Sequence, residues 1–378
     1  MSDNNPGVHA RRVIFIDLAR ALAVVLMVSG HTSSALLASR YRAGDWVHAW
    51  EFQRGLTSAL FLLLSGFAFS IATTRHWPSH VRPSWALVKR VRRFGLFVLL
   101  GYALHFPVPR WSMLATATEG QWRTFLSVDV LQLIGVTFVA VQLLVLLAQS
   151  RRVFMVTALV LAAVVIGAAP VVWRIDWTAM LPLAIASYLS PATGSQFPLF
   201  PWAGFVLIGA GAGQIYARWG AAHLGAYANW GLLLPGIVLA LIAFNLSRSP
   251  PAFGVDDFGW VPGQILLRTG VCLAILGAVA HASARIDQLP HVFGAVAQES
   301  LVVYFVHLCI VYGSIWNAGL YGFYGDALGP GATVLAVVAV VISMIALAWQ
   351  WNGLKHHRPR IARLVAVAMG VGLAGWLI

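Results

Sequence analysis

Apolar stretches close to twenty residues long recur along the whole of this chain. They fall at about 13–37, 56–74, 87–106, 129–149, 153–173, 197–217, 229–246, 263–283, 296–316, 331–351 and 361–377, and roughly 20 apolar residues make one helical crossing of a bilayer. Inside lipid a backbone must satisfy its own N–H and C=O groups, so such a succession is expected to fold as helices packed side by side. The expected fold is all-α: a polytopic integral membrane helix bundle of about eleven transmembrane helices, with residues 1–12 as a tail and 13–378 as one transmembrane domain. Composition agrees. Only 10% of the 378 residues are charged, against about a quarter in soluble domains, too few to coat a surface facing water. The segment 178–190 is also apolar, but it is short and bounded by Pro182 and Pro191. It is expected to be re-entrant or interfacial.

A formal charge of +13 would point to nucleic acid in a soluble chain, but basic residues also collect in the cytoplasmic loops of membrane proteins. With the N-terminus in the cytoplasm, Arg75, Lys89, Arg90, Arg92, Arg93, Arg151, Arg152, Arg285, Lys355 and Arg358 fall on the inner side. Asp45, Glu51, Glu119, Asp129, Asp176 and Asp326 fall on the outer side. The bias holds along the chain, so the partner implied is the bilayer, with no nucleic acid. The first apolar run is too long for a cleavable signal and is expected to stay as a span. Cys272 and Cys309 lie inside apolar runs and read as packing residues without a disulfide framework. No His-x3-His or Cys-x2-Cys pair is usefully placed, and adjacent His356 and His357 point to different sides of a helix, so no metal is expected. GAGAGQ at 209–214 follows an apolar helix and reads as close helix packing.

Ionisable side chains inside a bilayer are costly and usually mark a pathway or a reactive site. The first span holds Asp17, Arg20 and His31. At 100° per residue Arg20 and His31 share a face, about 16 Å apart along it, and Asp17 sits one turn before Arg20. A plainer reading makes Asp17 and Arg20 interfacial anchors. Further along, Ser300 and Tyr304 precede His307 by seven and three residues, placing all three on one helix face. That polar stripe should look into the bundle, for chemistry or for interhelical hydrogen bonding. Gln132 follows Asp129 by one turn, and Arg268 requires a counter-charge that Asp256 or Asp257 could supply.

The string IDLARALAVVLMVSGH, with Asp-x-x-Arg and then His after ten residues, resembles the opening span of the transmembrane acyltransferase superfamily. ALFLLLSGFAFS (59–70), VLQLIGVTFV (130–139), FPLFPWAGFVLIGAGAGQ (197–214) and ESLVVYFVHL (299–308) resemble later blocks in the same order. The set is most similar to bacterial relatives of heparan-alpha-glucosaminide N-acetyltransferase, and also resembles the acyltransferase-3 family. Three positions depart from the pattern: Leu133 where a basic residue often follows the glutamine, Ala21 where a Gly often follows the arginine, and Glu299 in place of an Asn.

The resemblance implies transfer of an acyl group, acetyl in the simplest case, from cytosolic acyl-CoA to a sugar or glycan acceptor on the far side of a membrane, here expected to be a bacterial inner membrane. Arginines bind phosphate bidentately, so Arg20, Arg90 and Arg93 are candidates for the donor nucleotide, with Gln132 orienting the donor amide. Two histidines compete for the base: His31, at the motif position, and His48, in a segment similar to the one that carries the reactive histidine of the animal enzymes. Asp17, which could pair with Arg20, is counted with the two histidines as a candidate catalytic residue, while Glu51, Ser300, Tyr304 and His307 are candidate supports for substrate or structure. A homo-oligomer is compatible with the sequence. The rival reading is a transporter or channel in which Asp17, Arg20 and His31 line an ion or substrate pathway.

Overall fold

The computed structural model describes residues 13–43, 45–248 and 260–376, and the tail 1–12 lies outside them. Each of the eleven apolar stretches is helical over most of its described length. The elements are α1 (Ile14–Leu36), α2 (Asp45–Arg75), α3 (Trp85–Leu104), α4 (Val130–Ala148), α5 (Arg151–Trp173), α6 (Leu199–Ile215), α7 (Leu234–Arg248), α8 (Trp260–Ser283), α9 (His291–Gln298), α10 (Ser300–Val311), α11 (Pro330–His357) and α12 (Pro359–Gly375). Among the described residues eight helices are individually long and apolar enough to cross a membrane, and α9 with α10 makes a ninth if the bent pair is one span. The other two fall short for physical reasons. The first turns of α3 carry Lys89, Arg90, Arg92 and Arg93, and α12 has 17 residues, about 25 Å of helix against a hydrocarbon core of about 30 Å. The segment 178–190 holds the end of a 3-10 turn, Trp177–Ala179, and one short α-helix, Leu183–Leu189.

The tightest crossing joins α2 and α6. A Cβ on Gly66 would stand 1.9 Å from the carbonyl oxygen of Val206, and one on Gly209 would stand 1.9 Å from that of Leu63. The GAGAGQ run therefore lets two backbones touch, as its small residues predict. Phe67, Phe205, Leu62 and Leu63 fill the surrounding core.

The first helix, α1, is enclosed by α2, α8, α9, α10 and α11, so its polar stripe faces protein. Its last turn is held by Arg42, whose guanidinium donates to the carbonyls of Ser34 (2.9 Å) and Leu37 and pairs with Asp326. Ala38 N–H donates to the Leu328 carbonyl and Leu328 N–H to that of Leu36, both at 2.9 Å. The segment after α10 is thus stitched to the end of α1.

Between α9 and α10 the chain bends by 74° at Glu299, one of the three positions noted above as departures. Glu299 is 3% exposed. It accepts from Lys355 Nζ at 2.7 Å and from the Asn352 amide at 3.0 Å, both on α11. Removing one partner of a buried pair strands the other charge, at roughly 3–5 kcal/mol when both are buried. With the Lys355 side chain 44% exposed, Lys355→Met is expected to cost about 2 kcal/mol, visible as a lowered Tm of the purified protein, while Lys355→Arg keeps most of the stability. An unchanged Tm for Lys355→Met would mean that Glu299 carries no buried charge.

Candidate functional site

Two polar stripes meet along α1 and α10. Both helices run the same way, and their side chains pair at matching heights. Near the start, an Arg20 Nη donates to Ser300 Oγ at 3.1 Å. Eleven residues later the His31 ring lies 5.3 Å from that of His307, centroid to centroid. His31 Nδ1 is 3.3 Å from the hydroxyl of Tyr312, which itself stands 3.4 Å from the His31 carbonyl oxygen. Both contacts are satisfied together when Tyr312 O–H donates to that carbonyl and its oxygen accepts from Nδ1–H. The His31 Nε2 lone pair is then free, the form a general base requires.

His307 is fully buried, and its Nδ1 lies 2.8 Å from the Val303 carbonyl. A carbonyl can only accept, so Nδ1 carries the proton and Nε2 is an unprotonated acceptor in the neutral ring. That Nε2 is buried without a hydrogen-bond partner among the described residues. One turn earlier the Tyr304 hydroxyl donates to Asp129 Oδ2 at 3.2 Å, and the other oxygen of Asp129 caps α4 by accepting from Val130 N–H at 2.7 Å. The cap fixes the carboxylate, and the carboxylate fixes Tyr304.

This cluster opens into a cavity of about 1360 Å³ whose walls include His31, Glu51, Arg54, Asp129, Tyr304 and Tyr312. The cavity lies at the end of the bundle opposite the basic loops. The segments around it are the C-terminal end of α1, the N-terminal end of α2, the stretches 105–107 and 118–124, and residues 312–315 after α10. Glu51 therefore reaches the site, and Ser300 and His307 support it from behind without lining it. The sequence did not single out Arg54, whose guanidinium lies over the Trp50 ring at 5.2 Å. Nor did it single out Tyr312 or His105. The one available signal was an arginine between Glu51 and the start of an apolar run.

The expected donor-binding residues sit elsewhere. On α1 the lining extends down to Leu26 and Met27 and does not include Arg20. Arg90 donates to the Phe69 carbonyl (3.1 Å) and Thr73 Oγ1 (2.7 Å) and lies 4.0 Å over the Phe69 ring, so it ties α3 to α2. Arg93 is exposed at the basic end. Gln132 is fully buried against Gly101, with its amide nitrogen 3.5 Å from the Ser127 carbonyl. Asp17, half-buried in the first turn of α1, lies beside Arg20. His48 belongs to α2 by its backbone, but its side chain lies outside the described residues, as do Asp256 and Asp257. Cys272 and Cys309 are both free thiols.

The family profile described as heparan-alpha-glucosaminide N-acetyltransferase, catalytic, matches residues 12–243, more than half of the chain. The chain belongs to that family. It is accordingly an integral membrane protein of an N-acetyltransferase family, in agreement with the resemblance carried by the motif blocks. No curated protein matches it. The family match stops within α7, whereas Ser300, Tyr304, His307 and Tyr312 all lie beyond it. The site is therefore completed by a part of the chain that the family profile does not reach.

Proposed function

We propose that this protein transfers an acyl group, acetyl in the simplest case, from acyl-CoA at the basic end of the bundle to a sugar or glycan hydroxyl or amine held in the cavity at the other end. The observation that carries the reading is the cavity-lining His31, backed by His307 and standing on the same helix as Arg20, about 16 Å away. That interval is similar to the reach of an extended pantetheine arm. Arg20 holds the pyrophosphate end and the thioester carbonyl reaches His31. There Nε2 takes the proton of the acceptor O–H or N–H as the acceptor oxygen or nitrogen attacks the carbonyl carbon. The C–S bond breaks and the CoA thiolate leaves with a proton. Met27, where the cavity stops, is about 10 Å along α1 from Arg20, so the donor arm must part α1 from α10 over about two turns to reach the acceptor. A bacterial cytoplasmic membrane is the proposed location, with the basic loops facing the cytosol.

The test uses the purified protein. Acetyl-CoA should raise its Tm while adenosine does not, and labelled acetyl-CoA should pass label to members of a panel of amino sugars and glycan fragments. A protein that is not stabilised by acetyl-CoA and transfers no label is not this enzyme, and a transport assay then becomes the better experiment. Arg20→Ala removes a charged donor of hydrogen bonds worth roughly 1.5–3 kcal/mol. It is expected to weaken acetyl-CoA binding on the order of 10–100-fold and to leave acceptor binding largely unchanged. Unaltered acetyl-CoA affinity in that variant would remove Arg20 from the donor site.

A further inference from the structure

A second cleft, of about 610 Å³, lies at the basic end, between the first residue of α9 and the last turns of α11. We infer that it seats the headgroup of an anionic phospholipid, with the acyl chains running down the outer face of α11. Its lining comprises His291 from α9 and Trp349, Gln350, Leu354, His357 and Arg358 from the end of α11, with Gly353 between them. Among the described residues there is no acid in it.

The end of α11 divides its basic residues in two. Lys355 turns inward to Glu299, and His356 Nδ1 is 2.8 Å from the Asn352 carbonyl. The side chains of His357 and Arg358, with His291 facing them, line the cleft and make no hydrogen bond or ion pair within the described residues. Asp287, four residues before His291, is not part of the lining. A cleft with an unpaired guanidinium and two imidazoles, and no carboxylate, is complementary to an anion. Basic pockets between helices on the cytoplasmic side are suited to acidic lipid headgroups, and that leaflet is the anionic one.

The surroundings favour a lipid over a free nucleotide. Leu335, Val338, Ile342 and Trp349 are 72%, 48%, 60% and 55% exposed, at spacings that put them on one side of α11. In a bilayer that stripe faces hydrocarbon, and it runs directly into the cleft at Trp349. An occupant with a phosphate at His357 and Arg358 and acyl chains along Trp349 and Ile342, within one leaflet, matches both parts. A nucleotide would leave the apolar part uncovered.

The experiment compares the protein in nanodiscs of phosphatidylcholine with and without added phosphatidylglycerol, reading Tm and, by native mass spectrometry, retained lipid. Wild type should gain Tm with phosphatidylglycerol and keep at least one molecule of it. The double variant His357→Ala, Arg358→Ala should bind it roughly tenfold more weakly or worse, with Tm in pure phosphatidylcholine unchanged. Arg358→Gln alone, at an exposed position, should show the same loss to a lesser degree and covers the case in which the double variant does not fold. Equal gains from the neutral and acidic lipid, or an undiminished gain in the variants, would overturn the proposal. Displacement of phosphatidylglycerol by acetyl-CoA at this cleft would overturn it too, because the cleft would then belong to the acyl donor. None of these readouts requires acyl transfer, so the lipid site stands or falls apart from the enzymatic reading.

Discussion

Alanine in place of His31 is expected to lower acyl transfer by about 10²–10⁴-fold, the usual contribution of a positioned general base, with Tm and acetyl-CoA binding close to wild type. The expectation rests on three features of this side chain. It lines the cavity, its Nδ1 is occupied by Tyr312, and its ring is held in place by His307. His48→Ala is the necessary comparison, because the two histidines compete for one role. A large loss in His48→Ala with little in His31→Ala would move the chemistry to α2. Little loss in either would remove histidine catalysis from the mechanism. His307→Ala should have an intermediate effect, since it removes the neighbour that orients His31 and leaves the base itself present. The readout is initial rate with labelled acetyl-CoA at saturating donor, which separates a lost base from a weakened donor site.

Leucine at Gly66 or at Gly209 should abolish recovery of folded protein, and even alanine at either position should cost about 3 kcal/mol or more, beyond the ordinary range of overpacking. The reason is that the first added carbon meets backbone. The nearest atoms are the carbonyl oxygens of Val206 and Leu63, each 1.9 Å from the new Cβ, and no rotamer change moves a carbonyl out of the way. The whole α2–α6 crossing would have to separate, and with it the outer part of α2 that carries Glu51 and Arg54. Gly95→Ala is the control. It also lies within a helix, but its Cβ would meet nothing within 4 Å, so it should be neutral or gain up to about 1 kcal/mol from helix propensity. Thermal unfolding of detergent-solubilised variants, followed by size-exclusion chromatography, measures all three. A Gly209→Ala protein as stable as wild type would mean that the helices pack differently from this description.

What could be read from the sequence was whatever is periodic within one element. The stripe of Arg20 and His31 on α1, the stripe of Ser300, Tyr304 and His307 on α10, and the small residues at 209–213 all repeat at helical spacing, and each does face another helix. That the first two stripes face each other is a tertiary fact, since 280 residues separate Arg20 from Ser300. The bonds of Arg90 to α2 were not legible, because basic residues beside a span look alike from the sequence, whether they wait for a ligand or bond to a neighbouring helix. Only the positions of Phe69 and Thr73 decide between these. Arg54, His105 and Tyr312 were missed for the converse reason: three remote segments bring them to one cavity, and none lies in a patterned string. Glu299 stood out only as a departure. Its meaning lies with Lys355 and Asn352, more than fifty residues away on α11.

The two walls of the large cavity are fastened unequally. One, from Tyr312 to Ile315, belongs to the segment sewn to α1 through Arg42, Asp326 and the backbone pairing around Leu328. The opposite wall, at 105–107 and 118–124, leans on ring contacts among Phe106, Trp111 and Phe125, which can slide without breaking a hydrogen bond. If a bulky guest widens the mouth, this aromatic side is expected to give way first. The jamb beside His31 is expected to stay put, so that the proposed base keeps its aim while the door swings.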